Sequence, residues 1–326
     1  MLSEIIALPA RFPLLVKPVI FSRQQSWAIP LIALQFVFLG FAQQPARQSS
    51  LHLEPKEVRF RILAMPRDAQ TAKAKLLALG SSAKVSVRDS LEVIDLLLPR
   101  GDAAYLKAGD VCRAELVALS KGLFQAKRIW PDDPGLQSRL KQTNAALRSE
   151  VQAKAKDLAL PVGSILPEFA VIDQEGELLD ASFFAGKTTL VNFFFTRCSN
   201  PAMCQAATQR LKLTLKKAPE FDLPNLQALS LTFDPEHDAP GILKDYANAY
   251  RLDGKKFRLG TGPKQVMEDL RQRMGIATRK DPKLVLDHTF RIVVVDDERR
   301  IITEILGPAW SVENTLARIR KILTEE

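Results

Sequence analysis

At 326 residues, with 46% hydrophobic and 25% charged side chains, the chain has the make-up of an ordinary globular protein and the length for two domains, each with its own core. Its formal net charge of +9 would permit anionic partners such as a membrane surface or nucleic acid. The basic residues, however, are spread along the chain with no aromatic-interleaved stripe and no nucleic-acid motif, which excludes nucleic acid from the expected partners.

The first fifty residues do not read as part of a fold. Lys17 and Arg23 precede an apolar run at 27–42, and polar Gln43, Gln44 and Pro45 follow it. This is the layout of a secretory signal with a long n-region, and the small residues Gly40 and Ala42 suit cleavage after Ala42. The run falls short of the roughly 20 residues a spanning helix needs. Residues 1–42 are therefore expected to be a signal peptide, with an uncleaved membrane anchor as the alternative, and 43–55 a linker. Export means an oxidising compartment, where a close cysteine pair is either a disulfide or kept reduced for a purpose.

Residues 56–130 predict a small, mostly β domain, with strands at 58–64, 84–87, 92–98, 111–119 and 124–129 separated by turn signals such as Gly109-Asp110 and Lys121-Gly122. The stretch 72–79 is read as a short helix. Cys112, far from any histidine, is expected to be a small core residue. His52 and Met65 have no second ligand nearby and carry no assigned chemistry. Residues 131–160 read as a helical linker: a largely exposed helix over 135–157 with Leu136, Leu140, Leu147 and Val151 on one face, then a Pro161–Pro167 connection.

From 161 to 326 the order is βαβα followed by ββα. A short strand at 169–173 and a turn at Gln174-Glu175-Gly176 precede a strand from Thr189 to Phe195, apolar enough to be buried on both faces. A helix follows, then a strand at 228–233 and a helix from Pro240 to about Tyr250 with Leu243, Tyr246 and Tyr250 toward the sheet. A strand at 257–259, a helix at 264–274, a hairpin at 292–296 and 301–306 and a helix at 312–323 complete the chain. Thiols at the first strand-to-helix corner and this order of elements are those of a thioredoxin-like fold. The expected class is α/β, with a small, mostly β domain preceding a thioredoxin-like domain.

The thiols at that corner are Cys198 and Cys204, two of only three cysteines. On one continuous helix, six positions separate α-carbons by a rise of about 9 Å, beyond the ~7 Å reach of a disulfide. The segment between them therefore cannot be all helix. Asn200 is a favoured N-cap and Pro201 suits the first helical position, which places Cys198 in the loop and Cys204 in the helix's first turn. Ala207, Leu211 and Leu215 continue one apolar face. Both sulfurs can then converge near a helix N-terminus, where thiolate is favoured over thiol. A reactive pair and a metal-binding pair both fit.

Three segments carry a resemblance. Val191-Asn-Phe-Phe-Phe-Thr-Arg-Cys198 with Cys204, the run from Ser230 through Asp234, His237 and Asp238 to Pro240, and the Asp287-His288 step before a hairpin are together similar to the Sco/SenC family of exported thioredoxin-like copper proteins, over 161–326. The resemblance implies copper, as Cu(I) with Cu(II) also accessible, held by Cys198, Cys204 and His288. It implies a periplasmic location, with anchoring to the inner membrane as a variant, and delivery of the metal to an apo-metalloprotein, a cytochrome c oxidase subunit with a binuclear copper centre. A thiol reductant would keep the pair reduced. Many members have three residues between the cysteines and a proline after each, whereas here there are five, with Ser199 and Gln205 in the proline positions. The N-terminal domain resembles, weakly, a copper-binding OB-type module, which implies an OB-like barrel there, but it lacks the module's cluster of methionines, histidine and tryptophan.

Two thiolates and an imidazole form a soft, low-coordinate set suited to Cu(I). Zinc ordinarily takes four ligands in a structural site. Asp287 is a candidate acceptor for the His288 imidazole, and Asp234 and Asp238 either line the site or cap the following helix. The alternative is a thiol-disulfide oxidoreductase with Cys198 as nucleophile and Cys204 resolving, although such enzymes usually have two residues between the cysteines. A peroxidase fits less well, since Thr196 lies only two positions before Cys198.

Overall fold

Alternating apolar side chains build the first half of the protein. The computed structural model describes residues 54–66, 70–83, 92–153, 159–279 and 287–325, excepting the side chains of 279, 287 and 288. In β1 (Glu57–Ala64), β2 (Thr71–Leu79), β3 (Val93–Leu97), β4 (Val111–Ser120) and β5 (Leu123–Pro131), every second residue points inward: Val58, Phe60 and Ile62, then Ala72, Ala74 and Leu76, and so on round the barrel. β1 pairs with β2 and β4, β2 with β3, β3 with β5 in parallel and β5 with β4, so the sheet closes as β1-β2-β3-β5-β4. The result is a closed five-stranded barrel of the expected kind, with α1 (Arg100–Tyr105) between β3 and β4.

The expected helix at 72–79 is instead β2. Its Ala, Lys and Leu residues are helix formers by intrinsic preference, but pairing on both flanks overrides that preference. The period is 2, with Lys73 and Lys75 turned away from the core side of Ala72, Ala74 and Leu76. Cys112 is fully buried in the barrel core, where burial pushes its thiol well above the ordinary range, as befits an inert core residue. Met65 packs at the edge of the same core. The expected strand at 84–87 and His52 lie outside the described residues.

α2 (Pro134–Ala153) is exposed over most of its length but buries Leu140, Asn144, Leu147 and Val151. Asn144 fastens it to the second half of the chain. Its amide donates to the Ala170 carbonyl at 2.8 Å and its oxygen accepts from the Ala170 N–H at 3.0 Å. Each such bond contributes about 1 kcal/mol net, but a lone buried amide would cost more.

A seven-stranded mixed sheet follows, in the order β14-β13-β8-β9-β10-β6-β7. Its strands are β6 (Val171–Asp173), β7 (Leu178–Leu179), β8 (Thr188–Phe194), β9 (Leu226–Thr232), β10 (Phe257–Thr261), β13 (Arg291–Val295) and β14 (Ile301–Leu306); β11 (Thr278–Arg279) and β12 (Asp287–His288) form a separate two-stranded ladder. β8, β9 and β10 run parallel, and β13 closes antiparallel on β8. Strands covered on both faces need apolar residues at successive positions, and β8 and β9 have them. Leu190 and Phe194 pack with α3 (Ala206–Lys217), α4 (Pro240–Tyr250) and α6 (Val312–Glu325), while Val191, Phe193, Leu229 and Leu231 pack with α5 (Lys264–Arg273) and the end of α2. This thioredoxin-like layering places the C-terminal end of β8, and the loop that leaves it, at one edge of the core.

Candidate metal centre

The loop leaving β8 carries Thr196, Arg197 and Cys198. Asn200 caps the next turn, its side chain accepting from the Ala202 N–H at 3.0 Å, and Pro201 opens it. A continuous helix is avoided as the spacing requires: Pro201–Gln205 forms one wide π-type turn, and Met203 (φ −102°, ψ −105°) breaks it before α3 begins at Ala206. Cys204 therefore sits in the turn ahead of α3. Ala207, Leu211 and Leu215 then bury one face of the helix, as its periodicity predicts.

Both sulfurs belong to one apolar cluster, with Cys198 8% and Cys204 2% exposed. They are unlinked and share a hydrogen bond. The Cys204 S–H stabilises a Cys198 thiolate, and backbone hydrogen bonds from Cys204 and Asn200 assist it. Together these outweigh burial and push Cys198 down to about 6. Cys204, the donor of that bond, is held well above the ordinary thiol range by the same bond, by burial and by the charge on its neighbour. Alkylation of the protein by iodoacetamide is thus expected to follow a single midpoint near pH 6, where an ordinary thiol titrates near 8.5. Peptide mapping should place the label on Cys198. A midpoint above pH 8 would refute this assignment.

Buried carboxylate chemistry holds the loop. Asp238, fully buried, accepts from the Thr196 N–H at 3.1 Å and from the Thr196 and Thr232 hydroxyls at 2.5 Å each. Asp234 receives Arg197 through Nε at 3.0 Å and through Nη2. Asp238 does not cap α4, whose N-cap is Ala239 with no side-chain bond; its work is on the loop before Cys198. Behind the second thiol, Thr208 Oγ1 donates to the Cys204 carbonyl at 2.9 Å and lies 3.0 Å from the Tyr246 hydroxyl. Tyr246 in turn stacks on Tyr250. The sequence marked Asp234 and Asp238 as site-lining or capping groups but gave Thr196, Thr208 and Tyr246 no part in holding the thiols, because single hydroxyls carry no spacing signal.

His288 lies in β12, opposite Thr278 of β11, and the next residue's N–H donates to the Ala277 carbonyl at 3.0 Å. The side chains of Asp287 and His288 are outside the described parts. Phe290, two residues on, packs against the cluster that contains Cys198 and Cys204 and stacks on Trp310 at 5.9 Å. The Arg210 guanidinium of α3 also lies over that indole, 5.7 Å from the ring centre. His237, in the loop with Asp234, is half-buried. Among the described residues no three His, Cys, Asp or Glu side chains form a metal-ligating group.

Comparison with known proteins adds relatives to this geometry. The chain is 26% identical over 135 residues to an SCO2-like protein of Rickettsia conorii, covering 40% of this chain and 63% of that protein. It is 25% identical over 162 residues to the mitochondrial SCO2 homologue of Mus musculus, covering 47% and 60%. The matches thus span somewhat under two thirds of these relatives' length. Similar solved structures are Arabidopsis thaliana ScoI with copper bound (18% identity, 50% of this chain and 100% of that one, TM-score 0.45) and Bradyrhizobium japonicum ScoI with copper bound (22%, 48% and 98%, 0.41). A third is BsSco, described as a member of the Sco family of cytochrome c oxidase assembly proteins (20%, 51% and 97%, 0.44). The SCO1/SenC family model matches residues 160–324, the whole of the half that carries Cys198, Cys204 and His288, and the chain belongs to that family.

Proposed function

We propose that the protein holds one copper ion through Cys198, Cys204 and His288 and passes it by ligand exchange to an apo-metalloprotein, the binuclear copper centre of cytochrome c oxidase being the recipient that best fits its family. The observation that carries this reading is the thiol pair: two sulfurs in hydrogen-bond contact, buried in one apolar cluster, with the Cys198 pKa pushed down to about 6. Binding Cu(I) requires deprotonated thiols. Cys198 is largely ionised in advance, so the metal has only the Cys204 proton to displace. Soft sulfur donors favour Cu(I), the ion named for the Arabidopsis and Bradyrhizobium relatives being copper. His288 completes the set in this reading, as the chain just beyond it packs on the thiol cluster. A buried site with few ligands leaves open positions through which a recipient's donors can enter. Residues 1–42 are taken as the export signal or an inner-membrane anchor, the working location as the periplasm, and a thiol reductant as the partner that keeps the pair open.

Anaerobic titration of Cu(I) into the reduced protein is expected to give one tight equivalent. His288→Ala should weaken it by at least about tenfold, the low end for losing a contact to a metal site. Unchanged affinity in that variant would remove His288 from the ligand set, and no stoichiometric binding by the wild type would remove copper.

The lowered Cys198 thiol favours a second reading, thiol-disulfide exchange. The Cys198 thiolate attacks a partner's disulfide, releasing one partner thiolate and forming a mixed disulfide. Cys204, on losing its proton, then attacks Cys198 and frees the second partner thiol, leaving the Cys198–Cys204 disulfide. Insulin reduction no faster than by free thiol would count against it.

A further inference from the structure

Two contacts join the barrel to the segment that clamps the thiol loop. The first is backbone against backbone. A Cβ on Gly101, in α1, would stand 1.8 Å from the Gly241 carbonyl oxygen and 3.1 Å from Asp245 Cγ, and one on Gly241, in α4, would stand 2.2 Å from Asp102 Cγ. Only glycine at both positions allows this approach. The Asp102 side chain that fills the gap is 2% exposed and accepts from the Tyr105 hydroxyl at 3.1 Å. Burial raises its pKa to about 7, with a smaller contribution from Asp245. Gly241 lies three residues beyond Asp238.

The second contact comes from an irregularity in the barrel. In β5, Lys127 faces Glu115 and Trp130 faces Arg113, so Arg128 and Ile129 share one opposing residue in a β-bulge. Arg128 there has φ of 52°, a left-handed conformation disfavoured for any residue with a side chain. The bulge turns its guanidinium to Glu115 at 3.0 Å and across to the Glu236 carbonyl at 3.4 Å. Lys264 holds the Glu236 carboxylate at 3.1 Å. Both contacts meet the segment 234–241, whose Asp234 and Asp238 hold Arg197 and Thr196.

We propose that the barrel is a positioning element for the thiol site: through Gly101 and Arg128 it braces the segment 234–241, and through Asp234 and Asp238 that segment fixes the loop bearing Cys198. Neither barrel residue touches a sulfur. The disfavoured backbone at Arg128 is explained by what its side chain reaches, and the barrel acquires a role that needs no ligand of its own. Only the copper arm of the test rests on the function proposed above.

The test uses the full chain with Gly101→Ala, Arg128→Gly and Arg128→Lys, reading amide hydrogen exchange at Thr196 and Cu(I) affinity by chelator competition. Glycine relaxes the left-handed backbone while deleting the donor, so a merely structural residue would give equal or greater stability and an unchanged loop. The expected result is exchange at Thr196 about tenfold faster in Gly101→Ala and Arg128→Gly, with β8 and β9 still protected and Arg128→Lys restoring most of the protection. Cu(I) affinity should fall about three- to tenfold at unchanged stoichiometry. Wild-type exchange at Thr196 in both disruptive variants would overturn the proposal. Acceleration spread evenly over β8 and β9 would overturn it too, since that reports loss of the domain rather than release of the loop. A wild type that binds no copper would remove the functional reading and leave the exchange arm standing.

Discussion

Cys198→Ala is expected to abolish stoichiometric Cu(I) binding, with affinity falling by roughly a thousandfold or more. A thiolate–metal bond contributes several kcal/mol, and about 1.4 kcal/mol is a factor of ten. The remaining Cys204 is a poor substitute: the variant relieves it of the shared bond and its neighbour's charge, but burial still holds its thiol up and only one sulfur is left to bind. Cys204→Ala should weaken binding by a similar order, with a further signature. Without its S–H donor, Cys198 loses the largest influence holding it near 6, and its alkylation midpoint should climb toward the ordinary thiol value near 8.5. Chelator competition for the metal and the pH profile of alkylation for the thiol measure the two effects separately. Equal Cu(I) affinity in wild type and Cys198→Ala would remove the pair as the copper site. An unmoved Cys198 midpoint in Cys204→Ala would show that the thiolate owes its stability to something other than its neighbour.

Asp238→Ala is expected to destabilise the protein by about 3 kcal/mol. Truncation leaves the Thr196 N–H and two threonine hydroxyls buried without their acceptor, and each orphaned group costs on the order of 1 kcal/mol or more. Denaturant midpoints measure this. The same variant frees the loop before Cys198, so Cu(I) affinity should drop by about tenfold. Thr232→Val removes one donor to the same carboxylate and the acceptor of the Asp234 N–H, while both Thr196 bonds to Asp238 stay in place. It should cost about 2 kcal/mol and lower copper affinity less than Asp238→Ala does. If Thr232→Val weakened copper as much as Asp238→Ala, the loop bond from Thr196 would not be the path by which Asp238 acts.

Much of the thioredoxin-like half was legible because its signals are local. A short run dominated by β-branched, aromatic and leucine side chains reads as a strand covered on both faces, and β8 is one. Asn200 and Pro201 announce a helical turn through their own chemistry, and Asn200 does cap it. A separation of six positions from Cys198 to Cys204 rules out a straight helix for a converging pair, and the break at Met203 is how the chain complies. The helix expected at 72–79 failed for the opposite reason. Alanine, leucine and lysine describe a helix when taken by themselves, and only the strands on either side make them β2.

Residue types and their order were enough to pick out what could do chemistry here: two cysteines at a strand-to-helix corner, a histidine before a hairpin, and the succession of elements that makes the corner a meeting point. Tertiary structure alone decided the electrical state of the pair, since the shared hydrogen bond that lowers Cys198 and raises Cys204 exists only once both sulfurs are packed into one cluster. It also decided what holds the loop. Thr196 and Asp238 are 42 positions apart, and Gly101 and Gly241 lie further apart still, in different domains. Contacts at such separations leave no periodicity or spacing to read, because they depend on how complete elements pack against one another.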